Sequence, residues 1–212
     1  MAMTKNEKIL KMWLIRTLRG QGYKTYSDIL KELDLRIDER PDIAAYMDPR
    51  TGEITLGAHV IGKNKEEFGR IASTLVRHEI LHGFLKHEKR LIDKIKQMHP
   101  NEDSLADYMQ QYHQSANIAG DYEISNRGYT NADKDIVRNI NLNGQIVSGL
   151  VTEDQHPDWV DLPFEDLFDK VIDDIKKNPP PPSPEDEEDE IVLGSFEDDV
   201  TFYGENGVTY GV

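Results

Sequence analysis

With 212 residues, 37% apolar and 31% charged, the chain is long enough for one domain with a buried core plus appendages, and it has no run of the roughly 18 apolar residues that a membrane span needs. A net charge of −15 removes the basic footprint that nucleic-acid phosphates require, and the lack of cysteine excludes disulfides, thiolate metal sites and thiol nucleophiles. The N-terminus, MAMTKNEKILKMWL, is too polar for a secretory signal, so the expectation is a cytoplasmic protein that engages neither nucleic acid nor membranes.

Along the chain, Thr4 can cap a helix whose Ile9, Leu10, Trp13, Leu14 and Leu18 fall at helical spacing, with Gly20 and Gly22 ending it. Ser27 is the expected start of a shorter helix, SDILKELD. The runs DIAAYMD and GEITLGAHVI flank Asp48-Pro49-Arg50-Thr51-Gly52, a turn signal that predicts a small hairpin. From Asn64 the pattern reads as one long helix through NKEEFGRIASTLVRHEILHGFLKHEKRLIDKI, with Phe68, Ile71, Leu75 and Ile80 on its buried stripe. After His99-Pro100, Ser104 opens a second long helix that stops near Gly128. Thr130-Asn131-Ala132-Asp133 has the form of a capping box, Asn143-Gly144 is a turn, and LPFEDLFDKVIDDIKK is a last amphipathic helix, with Trp159, Leu162 and Phe164 anchoring it. His59, His99 and His156 have no ligand spacing. The body, residues 1–177, is therefore expected to be α+β, mainly helical with a small sheet. Residues 178–212, NPPPPSPEDEEDE and beyond, hold ten Asp/Glu and no Lys or Arg, and read as a disordered acidic tail.

The stretch RHEILHGFLKHEKR carries the chemistry. On a helix His78 and His82 lie one turn apart, so both imidazoles can reach one ion, and neutral imidazole suits zinc. Glu79, beside the first ligand, can take a proton from a metal-bound water; this is the physical content of H-E-x-x-H. A hydrolytic zinc needs a third protein ligand. On a continuous helix His87 falls about 140° from His82 and reads as a solvated residue. The second long helix is the better source. His113, Asn117 and Asp121 share a face at i, i+4, i+8, which makes Asp121 the expected third ligand, with Asn117 or His113 orienting a ligand or the water. Glu123 falls about 200° from Asp121 and remains the alternative ligand. Ala116, Ala119 and Gly120 are small enough for two helices to approach closely.

RHEILHGFLKHEKR followed by NIAGDYEISNRGYT resembles a metallopeptidase-like family often found with von Willebrand A-like domains, closest to stand-alone members from tailed bacteriophages. The family pattern, H-E-x-x-H on one helix and Asn-x-x-x-Asp on the next, maps onto His78, Glu79, His82, Asn117 and Asp121, within a similarity that spans about Asn64 to Ile140. The resemblance implies a zincin-like fold and a zinc site of two histidines and an acid, and, for a phage-encoded chain, the host cytoplasm. It implies no particular substrate.

The expected function is a zinc-dependent metallopeptidase that hydrolyses peptide bonds through a metal-bound water activated by Glu79. The strand GEITLGAHV would form the cleft rim and pair with an extended peptide or protein substrate. His113, Tyr122 and Tyr129 are the candidates for oxyanion stabilisation. The alternative is a non-catalytic binding or assembly protein of a bacteriophage, in which metal only fixes two helices. Phe196, Phe202, Tyr203 and Tyr210 would let the acidic tail dock on a protein partner.

Overall fold

Helix α1 (Lys5–Gly20) starts where its cap says it should: Thr4 accepts the Glu7 N–H and donates its own N–H to the Glu7 carboxylate at 2.5 Å. Leu10, Leu14 and Leu18, one turn apart, bury the inward stripe. The next helix, α2 (Lys24–Glu32), begins before Ser27 rather than at it. Ser27 is buried within the helix, and its hydroxyl donates to the Ile15 carbonyl of α1 at 3.1 Å. A residue read as a cap thus serves helix pairing. The structure is a computed structural model that describes residues 2–41, 43–48, 50–61, 65–100, 104–142, 145–146, 151–178, 202–203 and 209–210.

The expected hairpin forms from β2 (Ala45–Asp48) and β3 (Glu53–Gly57), antiparallel with Met47 opposite Ile54, and Gly52 supplies the positive φ of 70° at the turn. The sequence did not signal β1 (Leu35–Asp38), which pairs parallel with β3, Leu35 beside Ile54. The sheet order β1-β3-β2 puts β3 in the middle, hydrogen-bonded on both sides. GEITLGAHV is therefore no cleft rim; the strand with the open edge on that side is β2. A short 3₁₀ turn, Ala58–Ile61, leads out of β3 and holds His59.

The long helix expected from Asn64 is two helices, α3 (Lys65–Leu85) and α4 (His87–Met98). Lys86 between them is left-handed, φ 56° and ψ 41°. Neither Gly nor Pro marks the break, so hydrophobic periodicity runs through it unaltered. Next come α5 (Leu105–Arg127), which ends at Gly128, and α6 (Asn131–Val137), capped by Thr130 and Asp133 as the box predicts. Strands β4 (Asn141–Leu142) and β5 (Gln145–Ile146) pair antiparallel, while the Asn143-Gly144 turn itself lies outside the described residues. The short α7 (Thr152–Gln155), a 3₁₀ turn at Pro157–Trp159 and α8 (Phe164–Lys177) complete the body. Trp159 is buried, stacked on His156 at 3.6 Å, and helps to seat α8. Of the acidic tail, only Asn178 and the pair β6 (Phe202–Tyr203) with β7 (Thr209–Tyr210) are described; the disorder expected for the rest lies outside the described residues.

The result is α+β: mainly helical, with a small three-stranded mixed sheet. Among the described residues no helix is long and apolar enough to cross a membrane. Two apolar cores organise it. Leu14, Leu18, Leu30, Leu35, Ile54, Leu56 and Val76 tie α1, α2 and the sheet to α3. Leu91, Ile95, Tyr122, Phe164 and Phe168 tie α4, α5 and α8 together. Each such large side chain contributes roughly 1.5–3 kcal/mol by leaving water. The H-E-x-x-H segment of α3 lies where the two cores meet.

Candidate metal centre

Helix α3 is buried almost all round over Ala72 to Ile80, because the sheet and α1 cover one side while α5 and α6 cover another. Its polar residues there must find partners within the protein. His78 and His82, one turn apart, point the same way, and their Nε2 atoms lie 2.9 Å from each other. Asp121 of α5 completes a triangle: its Oδ1 is 2.9 Å from His78 Nε2 and 3.1 Å from His82 Nε2. These three residues offer ligand atoms close enough together to hold one metal ion.

The far nitrogens are engaged too. His78 Nδ1 lies 2.6 Å from the Tyr129 hydroxyl, and His82 Nδ1 lies 2.9 Å from His87 Nδ1. Both imidazoles are thus oriented from behind, with Nε2 facing the triangle, as metal-binding histidines are. Charge follows the geometry. Burial would lower the His78 imidazole, but the Asp121 carboxylate outweighs it and raises it. Burial would raise Asp121, but the two imidazoles hold it far below the ordinary carboxylate range. The triangle is a place that favours positive charge, which is the fit a divalent cation requires.

Glu79 is buried beside this triangle. Burial, above all, raises its carboxyl above the usual range, while the Met47 backbone N–H bonds the carboxylate and acts the other way. The alternation of the β2–β3 ladder explains the Met47 contact. Gly57 N–H donates to the Ala44 carbonyl, so Ala45 and Met47 fall at the positions whose backbone groups face away from β3. Met47 accordingly presents its N–H at the outer edge of β2, where Glu79 takes it.

The other expected site residues fall into different places. Asn117 and His113 share the Asp121 face of α5, and Asn117 Nδ2 lies 3.4 Å from His113 Nδ1. The bonds that hold His78 and His82 come instead from Tyr129, His87 and Asp121. Glu123 is not gathered with the trio: fully buried, it accepts from His87 Nε2 at 3.0 Å, from Arg90 at 2.6 Å and from the Phe164 N–H at 3.3 Å. Nor is His87 solvated. The left-handed turn at Lys86 swings it back to His82, and it is buried against Phe164 at 5.1 Å. Of the tyrosines expected as oxyanion candidates, Tyr129 meets His78 Nδ1 on the far side of that ring, and Tyr122 is buried against Trp159 at 6.1 Å.

Sequence reasoning missed His87 and Met47 as parts of the site, and it named Tyr129 without foreseeing its contact with His78. His87 lay in the right stretch but on the wrong face of an unbroken helix. Tyr129 follows the end of α5 and carries no spacing signal, and Met47 contributes only its backbone. Compared with known proteins, the chain matches no family model, no curated protein and no solved structure, so the residues and their geometry carry the functional reading.

Proposed function

We propose that this chain is a zincin-like zinc metallopeptidase, with zinc held by His78, His82 and Asp121 and with Glu79 as general base. The observation that carries the reading is the convergence of His78 Nε2, His82 Nε2 and Asp121 Oδ1, each within 3.1 Å of the others, beside a buried Glu79. Two imidazoles and one carboxylate suit zinc among the common divalent ions, and three protein ligands leave a position open. Bound zinc supplies a Lewis acid that polarises a peptide carbonyl and acidifies water.

The chain's own residues supply the rest. Glu79, its carboxyl raised by burial, is matched to take a proton from the attacking water and pass it to the leaving amine. Tyr129 and His87 keep the two imidazoles aimed. Beyond the Met47 N–H that Glu79 takes, the outer edge of β2 would offer its remaining backbone groups to an extended peptide, so the substrate class is a peptide or protein segment in strand conformation.

The test is metal content of the purified protein by mass spectrometry, followed by hydrolysis of an unstructured protein substrate. About one zinc per chain is expected, absent in His82→Ala. Glu79→Gln should keep the zinc and lose roughly 10²–10⁴-fold in turnover. Full activity in Glu79→Gln would remove Glu79 from the chemistry. One observation favours a non-catalytic reading, in which metal fixes α3 to α5 in a binding or assembly protein: the Glu79 carboxylate is tied to the Met47 N–H and so braces β2. A zinc-loaded wild type without any hydrolytic activity, destabilised by Glu79→Gln, is the result that reading expects.

A further inference from the structure

We propose that His87, with Glu123 behind it, is a positioning residue that fixes the proton of His82 on Nδ1 and so keeps the Nε2 lone pair for the metal. The inference rests on the metal-centre reading above and assigns a role to a histidine that is not itself a ligand.

The direction of each hydrogen bond follows by elimination. The Glu123 carboxylate takes the Arg90 guanidinium at Oε2, 2.6 Å away, and the Phe164 N–H at Oε1, 3.3 Å away, with the Arg127 guanidinium 3.5 Å from Oε1. A carboxylate paired with two guanidinium groups is an acceptor only. His87 Nε2, 3.0 Å from Oε2, therefore donates. An imidazole that carries its proton on Nε2 has a lone pair on Nδ1. His82 Nδ1, 2.9 Å from that lone pair, must then donate in its turn. In the neutral ring that a metal requires, the second nitrogen of His82 is then left as an acceptor, and it is the one that faces His78 Nε2 and Asp121 Oδ1. The reversed chain would put the proton on His82 Nε2 and block the ligand atom.

The backbone is arranged for this contact. Lys86 is the one non-glycine residue with positive φ among those described, a conformation that costs an ordinary side chain roughly 1–2 kcal/mol. It immediately precedes His87 and turns that ring back onto His82. On α5, a Cβ at Gly120 would lie 2.8 Å from His87 Nδ1 and 3.0 Å from His82 Cε1, so the side-chain-free position lets the two rings pair. Phe164 of α8 stacks on the His87 ring. Elements α3, α4, α5 and α8 thus converge on a residue that packing alone would not need to be histidine.

The test compares zinc affinity, by chelator competition, in the full chain and two variants. His87→Phe keeps the ring and its stack on Phe164 but removes both nitrogens. His87→Gln restores an acceptor and a donor at about the imidazole spacing. His87→Phe should bind zinc roughly 10–100-fold more weakly, and His87→Gln should recover most of that loss. Wild-type affinity in His87→Phe, or equal weakness in His87→Gln, overturns the proposal. A second measurement needs no variant: in the cobalt-loaded wild type, proton NMR should show a slowly exchanging ring N–H from each histidine ligand. A His82 N–H that exchanges as fast as an exposed imidazole also overturns it. His82→Ala in the same competition separates the two levels. If it binds zinc like the wild type, the metal centre itself is wrong; if it abolishes binding while the His87 variants behave as wild type, only the relay is wrong.

Discussion

At the scale of single residues, the tightest polar bookkeeping outside the metal triangle is at Asp133. Its carboxylate takes the Arg77 guanidinium, the Thr74 hydroxyl at 3.2 Å, and the Thr130 N–H and hydroxyl at 2.9 and 2.8 Å. Arg77, one residue before His78, also lies over the Tyr23 ring at 3.8 Å. This group therefore holds α3 against α6. Burial would raise the Asp133 carboxyl, but the bonds from Arg77 and Thr130 outweigh it and lower it from its ordinary value of 3.8. The sign follows: a carboxyl that titrates lower in the folded than in the unfolded state adds stability that is present above the unfolded value and lost as pH falls through the folded one. Asp133→Asn, which leaves the buried Arg77 charge unpaired, should cost about 3–5 kcal/mol near neutral pH. The gap between wild type and variant should narrow below about pH 4, as measured by urea unfolding across a pH series. A gap that stays constant down to about pH 2 would show that another group carries the acid sensitivity.

At the scale of elements, what was legible depended on whether the signal was local. Caps are local, and Thr4 and Thr130 start α1 and α6 where their side chains predict. Turn chemistry is local as well, and the hairpin around Gly52 forms in the expected place. The candidate trio was legible for the same reason: i, i+4 spacing fixes a helix face, which put His78 with His82 and favoured Asp121 over Glu123. The parallel strand β1 was not legible, because four residues that pair with the far strand of the following hairpin carry no local mark. The break between α3 and α4 was hidden for a stronger reason. Lys86 prefers a helix, and the bonds that override it come from His82, Glu123 and Phe164, distant in sequence from one another. That break makes a discriminating prediction. In a continuous helix Lys86→Gly would cost roughly 1 kcal/mol. At a left-handed residue the same change relieves backbone strain and should be neutral or stabilising by up to about 1 kcal/mol, read from chemical unfolding. A clear loss of stability in Lys86→Gly would mean that residues 65–98 form one helix and that His87 does not reach His82.

At the scale of the molecule, the His78–His82–Asp121 triangle is a clasp between two cores. His78 and His82 ride on α3, whose Leu75, Val76 and Ile80 belong to the sheet-side core; Asp121 rides on α5, whose Ala119 and Tyr122 belong to the other. The same seam is crossed by His87 of α4 to His82, so the ion would not act alone, and it would add a link made through a shared charge at the centre. Anything bound to the folded state and not to the unfolded chain stabilises, at high concentration, in proportion to the logarithm of its concentration over its dissociation constant. Zinc at about a thousand times its dissociation constant should therefore add about 4 kcal/mol. For a body of this size each kcal/mol moves the melting temperature by roughly 2–4 °C, so a rise of about 8–16 °C is expected on adding zinc to the metal-free protein. Chelation should reverse it, and His82→Ala should abolish it. The comparison matters because the region from 178 to 212 carries ten Asp/Glu that can collect cations weakly wherever they lie. Zinc bound there would leave the melting temperature of wild type and His82→Ala equally unmoved, or move both alike. Only an ion seated between α3 and α5 can stabilise the wild type and fail to stabilise the variant.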